Sequence, residues 1–266
     1  MSDEFDLSTE IVVLTGGGGI LGSRFADALI RHGAKLAILD RAPGKAERIA
    51  LELSQRHGAC AIGFQVDISE RSELARARAR IEEALGQATV LVNAAATKSA
   101  GFFEPFETFS AADWDEVMRT NVTGAMFAIQ EFGAPMAQRG AGSIINILSI
   151  YGVVAPDQRI YEGSLYEGRA INTPAVYSTS KAALWGLTQY LASYWGSRQV
   201  RVNAVSPGGV SSGQNDTFAQ RYGARVPLGR MAEGDEICGA VIFLASRASA
   251  YVTGQNIVVD GGLSVW

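Results

Sequence analysis

The stretch that decides the fold runs from Ile11 to Gly22 and reads IVVLTGGGGILG. Its first four residues are apolar and rich in β-branched side chains, which predicts a buried strand over Ile11–Leu14. Gly17, Gly19 and Gly22 then satisfy the pattern G-x-G-x-x-G just before a segment of helical length. Such a turn lets the backbone approach a pyrophosphate closely and aims a helix N-terminus at its charge. The stretch therefore predicts the first βαβ unit of a dinucleotide-binding sheet.

The rest of the chain continues the alternation of short apolar runs and longer amphipathic segments. Helical segments are predicted at Ala26–Arg31, ending at Gly33, and at Ala46–His57, ending at Gly58. Strands are predicted at Leu36–Leu39, Ile62–Val66, Val90–Val92, Ser143–Leu148, Val200–Val205 and Asn256–Val259. This order predicts an α/β protein with a doubly wound parallel sheet, the three-layer Rossmann fold. With 266 residues, 47% of them hydrophobic, the chain suits a single domain spanning residues 1–266.

Composition excludes several classes of function. The net charge is −4 with acidic and basic residues interspersed, so no nucleic-acid-binding surface is expected. The segment from Met1 to Glu10 is acidic and lacks an apolar core, and no apolar run reaches the length of a membrane span. Cys60 and Cys238 have no metal-ligand spacing and suggest no disulfide framework. We therefore expect a cytoplasmic protein without a metal site or a membrane partner.

A carboxylate follows the second predicted strand. Asp40 stands 18 residues after Gly22, where a carboxylate accepts hydrogen bonds from the hydroxyls of an adenosine ribose and repels a 2′-phosphate. Asp40 therefore favours NAD over NADP. The neighbouring Arg41 weakens this prediction, because a guanidinium at that position could hold a 2′-phosphate.

A tyrosine and a lysine are spaced to meet on one helix face. Tyr177 precedes Lys181 by four residues, at the start of a helical run. A positive charge about 4 Å from the phenol, at an effective dielectric near 20, is worth about 4 kcal/mol and would lower the pKa of the tyrosine by up to roughly 3 units. That shift would make the phenol a proton-transfer catalyst at moderate pH. Taken alone, the pair is more typical of an ordinary surface helix.

With both motifs placed, the chain resembles the short-chain dehydrogenase/reductase family from about Ile11 to Gly262. Further motifs carry the resemblance. They are Asp67 after the third strand, Asn93-Ala94-Ala95-Ala96, Asn121-Val122-Thr123-Gly124, Ser149 after the fifth strand, Ser206-Pro207-Gly208 with Val210, Tyr251-Val252-Thr253-Gly254-Gln255 and Asp260-Gly261-Gly262.

The resemblance implies the interconversion of a secondary alcohol and a ketone on a small-molecule substrate, with NAD as the cofactor and NADP less favoured. Tyr177 would be the general acid/base, Ser149 would hold the substrate oxygen, Lys181 would lower the pKa of the phenol and bind the nicotinamide ribose, and Asn121 would hold a water that links Lys181 to solvent. The implied cofactor-binding residues are Gly16, Gly19, Ile20, Leu21, Gly22, Asp40, Arg41, Asp67, Ile68, Asn93, Ala94, Ala95, Tyr177, Lys181, Pro207, Gly208 and Val210.

Three departures from the family pattern stand out. Ile20 occupies a position where the shorter enzymes of the family usually carry glycine, and the Asn93 segment lacks one Asn and one Gly of the usual motif. Ser149 and Tyr177 are 28 residues apart, about twice the usual gap, because of an insert at Val153–Pro174. Polar residues dominate the insert: Asp157, Arg159, Tyr161, Glu162, Tyr166, Glu167, Arg169 and Asn172. They would suit a wall of the site for a sugar, sugar acid or polyol; a solvated loop or a subunit contact is the equal alternative.

The helix after Lys181 carries an apolar stripe at helical spacing, formed by Leu184, Leu187, Leu191 and Tyr194, which predicts core packing. Trp185 and Trp195 fall off this stripe. The resemblance implies that this helix also packs against a partner subunit, so a homo-oligomer is expected, either a tetramer or a dimer.

Two other functions remain open from the sequence. The spacing of Gly16, Gly19 and Gly22 resembles that of sugar-nucleotide-modifying enzymes that keep their NAD bound, although only about 60 residues follow Pro207. The second alternative is a non-catalytic cofactor-binding protein that has kept the fold. Loss of Ser149, Tyr177 or Lys181 would have favoured it, and all three are present.

Overall fold

The computed structural model describes residues 4–166 and 168–265. The predictions that concern the first three residues, Glu167 and Trp266 therefore lie outside the described residues. One parallel sheet of seven strands organises the chain. Its strands are β1 (Ile11–Thr15), β2 (Lys35–Asp40), β3 (Ala61–Gln65), β4 (Val90–Asn93), β5 (Gly142–Ile147), β8 (Val200–Pro207) and β9 (Asn256–Val259). Their order across the sheet is β3-β2-β1-β4-β5-β8-β9.

All seven predicted strands are present, and the doubly wound fold is confirmed. The order reverses between β1 and the central strand β4, which is the topological switch point of such sheets. The carboxyl ends of β1, β2, β4, β5 and β8 meet at one edge because all the strands run in the same direction. The segments that follow these strands therefore lie together at that edge.

Helices cover both faces of the sheet. Val12 and Leu14 of β1 belong to one buried cluster with Phe25 and Val241, whereas Val13 belongs to the other. This alternation follows from the two-residue period of a strand. The helices are α1 (Ile20–Arg31), α2 (Lys45–His57), α3 (Arg71–Ala84), α4 (Ala111–Met118), α5 (Ala125–Ala128), α6 (Ala134–Arg139), α7 (Ala175–Gly196), α8 (Asp216–Gly223) and α9 (Cys238–Ala245).

Helix α7 corrects part of the predicted stripe. Leu184 and Leu191 are buried as expected, but Tyr194 is 55% exposed. Trp195, which was predicted to lie off the stripe, is 7% exposed and packs in the core. The prediction is therefore right for the first two turns of the stripe and wrong at its end.

The insert folds over α8. Apolar Ile160 belongs to a small buried cluster with Phe218 and Tyr222, and the rings of Tyr161 and Phe218 stack with centroids 5.3 Å apart. A short hairpin, β6 (Leu165–Tyr166) with β7 (Arg169–Ala170), was not predicted from its polar composition. The insert thus packs against its own chain.

Candidate active site

In the turn after β1, backbone atoms approach so closely that two positions leave room only for glycine. Gly16 has a φ of +66°, and a Cβ there would lie 2.5 Å from the Cα of Ala95. A Cβ on Gly22 would lie 2.1 Å from the carbonyl oxygen of Gly16. Gly19 precedes α1, and the first turn of that helix carries no acidic residue. The loop therefore offers backbone N–H groups and the N-terminus of a helix to a pyrophosphate.

The carboxylate of Asp40 is fixed beside this turn. Its two oxygens accept hydrogen bonds from the backbone N–H groups of Gly18 at 2.8 Å and Ala42 at 2.9 Å. The guanidinium of Arg41 points elsewhere and donates to the hydroxyl of Thr97 at 2.9 Å. Both side chains line the same cavity, so an adenosine ribose would meet a carboxylate held by two backbone donors and a guanidinium tied to Thr97.

That first cavity has a volume of about 430 Å³ and follows the carboxyl edge of the sheet. Predicted cofactor-binding residues in its lining are Gly16, Gly19, Ile20, Leu21, Gly22, Asp40, Arg41, Asp67, Ile68, Ala94, Ala95, Tyr177, Pro207, Gly208 and Val210. The lining also includes residues that were not predicted to bind the cofactor: Leu39, Val66, Ala96, Thr120, Leu148 and Ser212. Most of these six directly adjoin named residues, so a wider window around each motif would have found them.

Two predicted cofactor-binding residues lie behind the lining instead. Asn93 is buried, and its amide donates to Oδ1 of Asn146 at 2.9 Å. Asn146 donates in turn to Thr188 of α7 at 2.9 Å. Lys181 is also buried, and its Nζ donates to the carbonyl of Ile147 at 2.9 Å. Asn93 therefore belongs to a polar network between the sheet and α7.

Ser149 and Tyr177 stand where the first cavity meets a second one. Both residues line both cavities, and the hydroxyl of Ser149 hydrogen-bonds the phenol of Tyr177. Ser149 follows β5, while Tyr177 lies in the first turn of α7 and its ring makes an edge contact with Phe102 at 6.3 Å. A small molecule at this junction would have a serine hydroxyl and a phenol on the same side.

Asn121 lies in a π-helical stretch between α4 and α5. The stretch covers Arg119–Gly124, and such widened turns are frequent at functional sites. The side chain of Asn121 is fully buried; its Oδ1 accepts from the backbone N–H of Thr97 at 2.9 Å and its Nδ2 donates to Ser180 at 3.1 Å. Asn121 thereby ties the loop after β4 to the first turns of α7.

The electrostatics of Tyr177 differ from the prediction. Burial raises the pKa of the phenol above its ordinary value, and the hydrogen bond from Ser149 offsets only part of that rise. Burial also lowers the pKa of Lys181 to about 8. Its Nζ lies 5.8 Å from the centre of the Tyr177 ring. The predicted net lowering of the tyrosine pKa is therefore wrong, because spacing on a helix does not account for loss of water around the pair.

The second cavity has a volume of about 340 Å³ and takes one wall from the insert. Tyr161 and Thr173 of the insert line it, joined by a hydrogen bond of 2.5 Å between their hydroxyls. The remaining lining is largely aromatic or aliphatic and includes Phe102, Phe103, Ile150, Tyr151, Ile171, Pro174, Phe218, Tyr222 and Met231. The insert is thus a wall of this cavity. That the cavity takes the substrate stays a prediction.

Four of the described polar residues of the insert, Asp157, Arg159, Glu162 and Arg169, are not part of the lining of that cavity. Asp157 pairs with Arg159 at 2.8 Å and with Arg225, which lies beyond α8, and the pKa of its carboxyl is held at about 2 chiefly by the hydrogen bond from Arg159. The carbonyl of Glu162 accepts from Arg221 of α8. The prediction that these groups converge on the pocket is therefore wrong. Asp157 and Glu162 instead attach the insert to Arg225 and to Arg221 of α8.

The described residues hold no group of three or more His, Cys, Asp or Glu side chains arranged for a metal ion. None of the helices in the described part of the chain combines the length and apolar character that crossing a bilayer requires.

Comparison with known proteins identifies the family to which this chain belongs. A family model described as enoyl-(acyl carrier protein) reductase matches residues 19–264. The 2-(S)-hydroxypropyl-CoM dehydrogenase 3 of Xanthobacter autotrophicus is 38% identical over 97% of this chain and 98% of its own. The chain belongs to the short-chain dehydrogenase/reductase family.

Two further relatives refine the comparison. Galactitol 2-dehydrogenase (L-tagatose-forming) of Cereibacter sphaeroides is 34% identical over 98% of both chains. The crystal structure of a gluconate 5-dehydrogenase from Burkholderia cenocepacia, in complex with NADP and tartrate, superposes with a TM-score of 0.88 at 31% identity, covering 99% of this chain and 98% of that one. This short-chain dehydrogenase/reductase is accordingly an NAD(P)-dependent oxidoreductase that acts on CH–OH groups.

Proposed function

We propose that this enzyme uses NAD to interconvert a secondary alcohol and a ketone on a sugar, sugar acid or related polyol. The observation that carries the proposal is the pair of cavities that meet at Ser149 and Tyr177. One cavity has the glycine turn and Asp40 of a dinucleotide site. The other has the size of a small organic molecule and opens on the same two hydroxyl groups.

Ser149 and Tyr177 would act on the reacting oxygen. In the oxidative direction the hydroxyl of Ser149 orients the alcohol by a hydrogen bond, and the phenolate of Tyr177 accepts its proton. Because burial raises the pKa of Tyr177, the phenol is protonated at neutral pH, and oxidation should accelerate as the pH rises. In the reductive direction the protonated phenol donates to the ketone oxygen.

Lys181 and Asn121 would assist that proton transfer indirectly, through Tyr177 and the segments around it. The ammonium of Lys181 lies under the phenol ring and favours its ionised form, and Asn121 fixes the loop and helix that frame the pair. The glycine turn, Asp67, Ile68 and the segment from Pro207 to Val210 would hold the dinucleotide along the first cavity. Bound NAD supplies the hydride acceptor for the alcohol carbon.

Asp40 supports NAD over NADP. Its carboxylate is held by two backbone donors, so it cannot turn away without leaving those N–H groups unsatisfied. A 2′-phosphate placed there would meet a fixed negative charge. Arg41 and the NADP bound in the Burkholderia gluconate 5-dehydrogenase favour NADP instead. The guanidinium of Arg41, however, already donates to the hydroxyl of Thr97.

The substrate class rests on the relatives and on the cavity together. Galactitol 2-dehydrogenase and gluconate 5-dehydrogenase are named for a polyol and a sugar acid. Thr173, Asn172 and Gln214 are polar residues in the lining of the second cavity, among its apolar walls. Groups of both kinds suit a carbon chain that carries several hydroxyls.

Both alternatives from the sequence are weaker. The glycine spacing is the feature that favours a sugar-nucleotide enzyme, whereas galactitol 2-dehydrogenase matches 98% of the chain. A binding protein without catalysis would not need Ser149, Tyr177, Lys181 and Asn121 in one connected cluster.

The proposal is tested by mixing the protein with NAD⁺ and a panel of alditols, aldonates and simple secondary alcohols, then following NADH absorbance. Turnover with an alditol or aldonate, and faster with NAD⁺ than with NADP⁺, is the expected result. Turnover confined to simple aliphatic alcohols would overturn the substrate class, and faster turnover with NADP⁺ would overturn the cofactor assignment.

A single domain and a cytoplasmic homo-oligomer complete the proposal. Helix α7 presents Tyr190 and Tyr194, 63% and 55% exposed, with their rings stacked 5.7 Å apart. Paired exposed rings on one helix face are typical of a surface that a second subunit covers.

A further inference from the structure

Helix α8 packs one tyrosine against the segment that follows β8. Tyr222 is only 2% exposed although it carries a polar hydroxyl. The backbone N–H of Gly209 donates a hydrogen bond to that hydroxyl. A Cβ on Gly209 would lie 2.5 Å from Cζ of the Tyr222 ring, so the peptide and the ring are in close contact. The hydroxyl of Tyr222 therefore serves a backbone donor outside its own helix.

Gly209 belongs to the part of the chain where the two cavities meet. Gly208 lines both cavities, as Ser149 and Tyr177 do, and Gly209 lines the second. Asp40, assigned above to the adenosine ribose, lines only the first. A dinucleotide that extends from Asp40 to the junction of the cavities would therefore have its nicotinamide end beside Gly208.

Hydrogen bonds hold this segment from two sides. The carbonyl of Gly209 accepts from the N–H of Ala232 at 2.9 Å, and the N–H of Ser211 donates to the carbonyl of Ala232 at 2.9 Å. The hydroxyl of Tyr222 holds the remaining N–H of Gly209. Burial raises the pKa of Tyr222 to about 12, so its oxygen accepts as part of a neutral phenol at neutral pH. Removal of the hydroxyl would leave a partly buried N–H without its partner, which is costly.

The same tyrosine is part of a row of rings that leads to the insert. The rings of Tyr222 and Phe218 lie 5.7 Å apart, and those of Phe218 and Tyr161 are stacked at 5.3 Å. The hydroxyl of Tyr161 forms a hydrogen bond with that of Thr173. All four residues line the second cavity. One set of packed side chains thus forms part of the wall of the second cavity and supports the segment at the junction.

We propose that Tyr222 is a positioning residue for the nicotinamide end of the cofactor. Its hydroxyl would hold Gly208 and Gly209 in the place that this end requires, whereas the adenosine end, at Asp40, would not depend on it. The segment would then be fixed before the cofactor binds, so binding would not have to order it. This inference rests on the proposed dehydrogenase function and assigns a role to a residue that does not touch the reacting atoms.

Two ligands and three variants test it without any substrate. NAD⁺ has both ends of the dinucleotide, whereas ADP-ribose has the adenosine and the pyrophosphate but no nicotinamide. Tyr222→Phe removes the hydroxyl and keeps the ring, and Gly209→Ala places a Cβ against the same ring. Tyr251→Phe makes the matched change at a fully exposed position. The Kd of each ligand is measured by calorimetry, and the Tm of each variant is recorded.

Tyr222→Phe should raise the Kd of NAD⁺ about 5- to 30-fold with little change for ADP-ribose. Gly209→Ala should shift the two ligands in the same unequal way, and Tyr251→Phe should match the unmodified protein. A merely structural role would lower the Tm without separating the two ligands. Equal changes for both ligands, or an unchanged Kd of NAD⁺ in Tyr222→Phe, would overturn the role of Tyr222 and leave the proposed dehydrogenase intact. If the unmodified protein bound neither ligand, the role of Tyr222 and the proposed function would both fail.

Discussion

Replacement of Lys181 by methionine should make the folded protein more stable while removing its activity. Burial lowers the pKa of Lys181 from 10.5 to about 8. At about 1.36 kcal/mol per unit, that difference of roughly 2.5 units is a folding cost of about 3 kcal/mol while the ammonium is charged. The variant also removes the donor to the carbonyl of Ile147, a loss of about 1–2 kcal/mol. The net gain is about 1–2 kcal/mol, or roughly 2–8 °C in Tm.

The pH dependence of stability distinguishes removal of the buried ammonium from better packing of the methionine side chain. A lysine with a lowered folded pKa destabilises the protein fully below about pH 8, where both states are protonated. Between about pH 8 and 10.5 the unfolded state binds more protons, so stability of the unmodified protein rises with pH and the cost disappears. The advantage of Lys181→Met over the unmodified protein should therefore shrink across that interval.

The assay is chemical denaturation and calorimetry at pH 7, 8, 9 and 10, with Lys35→Met as the control because Lys35 is exposed. Lys35→Met should follow the unmodified protein at every pH. A lower stability of Lys181→Met at pH 7, or an advantage that stays constant from pH 7 to 10, would refute the reasoning that the buried ammonium is an energetic cost kept for function.

Three further outcomes are expected. Asp40→Ala should reduce the preference for NAD⁺ over NADP⁺ on the order of tenfold, measured as the ratio of kcat/KM values; an unchanged ratio would remove Asp40 from cofactor selection. Asp157→Asn should weaken the attachment of the insert to α8 and raise KM for the substrate while the KM for NAD⁺ stays constant; a change in the NAD⁺ value alone would contradict this role. Tyr190→Glu with Tyr194→Glu should lower the oligomeric mass in light scattering, whereas Tyr251→Glu, at a fully exposed position, should leave it unchanged; a constant mass in the double variant would place the interface elsewhere.

The strands were predictable because a parallel sheet buries both faces of each strand. Val12, Val13 and Leu14 are all fully buried although they alternate between two cores, so the run is apolar throughout and easy to recognise. The glycine turn was predictable for a similar reason. Gly16 and Gly22 are required by contacts within a few residues of the turn or with the neighbouring strand end.

The prediction failed at the end of the apolar stripe on α7 because small errors in the helical rotation per residue accumulate along a helix. At about 100° per residue, Trp195 returns to within about 20° of Leu184, whereas Tyr194 lies about 80° away. A stripe drawn at spacings of three and four residues departs from the true helical rotation by such angles over a long helix, and α7 has 22 residues. The buried tryptophan and the exposed tyrosine follow directly from that rotation.

The site was less predictable where it depends on tertiary contacts. Which face of the insert is polar depends on α8, about 50 residues further along the chain, which covers Ile160 and pairs with the outer groups. The pKa of Tyr177 depends on burial, which the spacing to Lys181 does not report.

The central claim is that Tyr177 transfers the proton at the junction of the two cavities, and the variant Tyr177→Phe tests it most directly. It removes the phenol hydroxyl and keeps the ring that contacts Phe102. NADH formation with the best substrate of the panel is measured beside NAD⁺ affinity by calorimetry. We predict that kcat falls by at least about a hundredfold while NAD⁺ binds as before. A kcat close to that of the unmodified enzyme would contradict the claim and remove Tyr177 from the reaction.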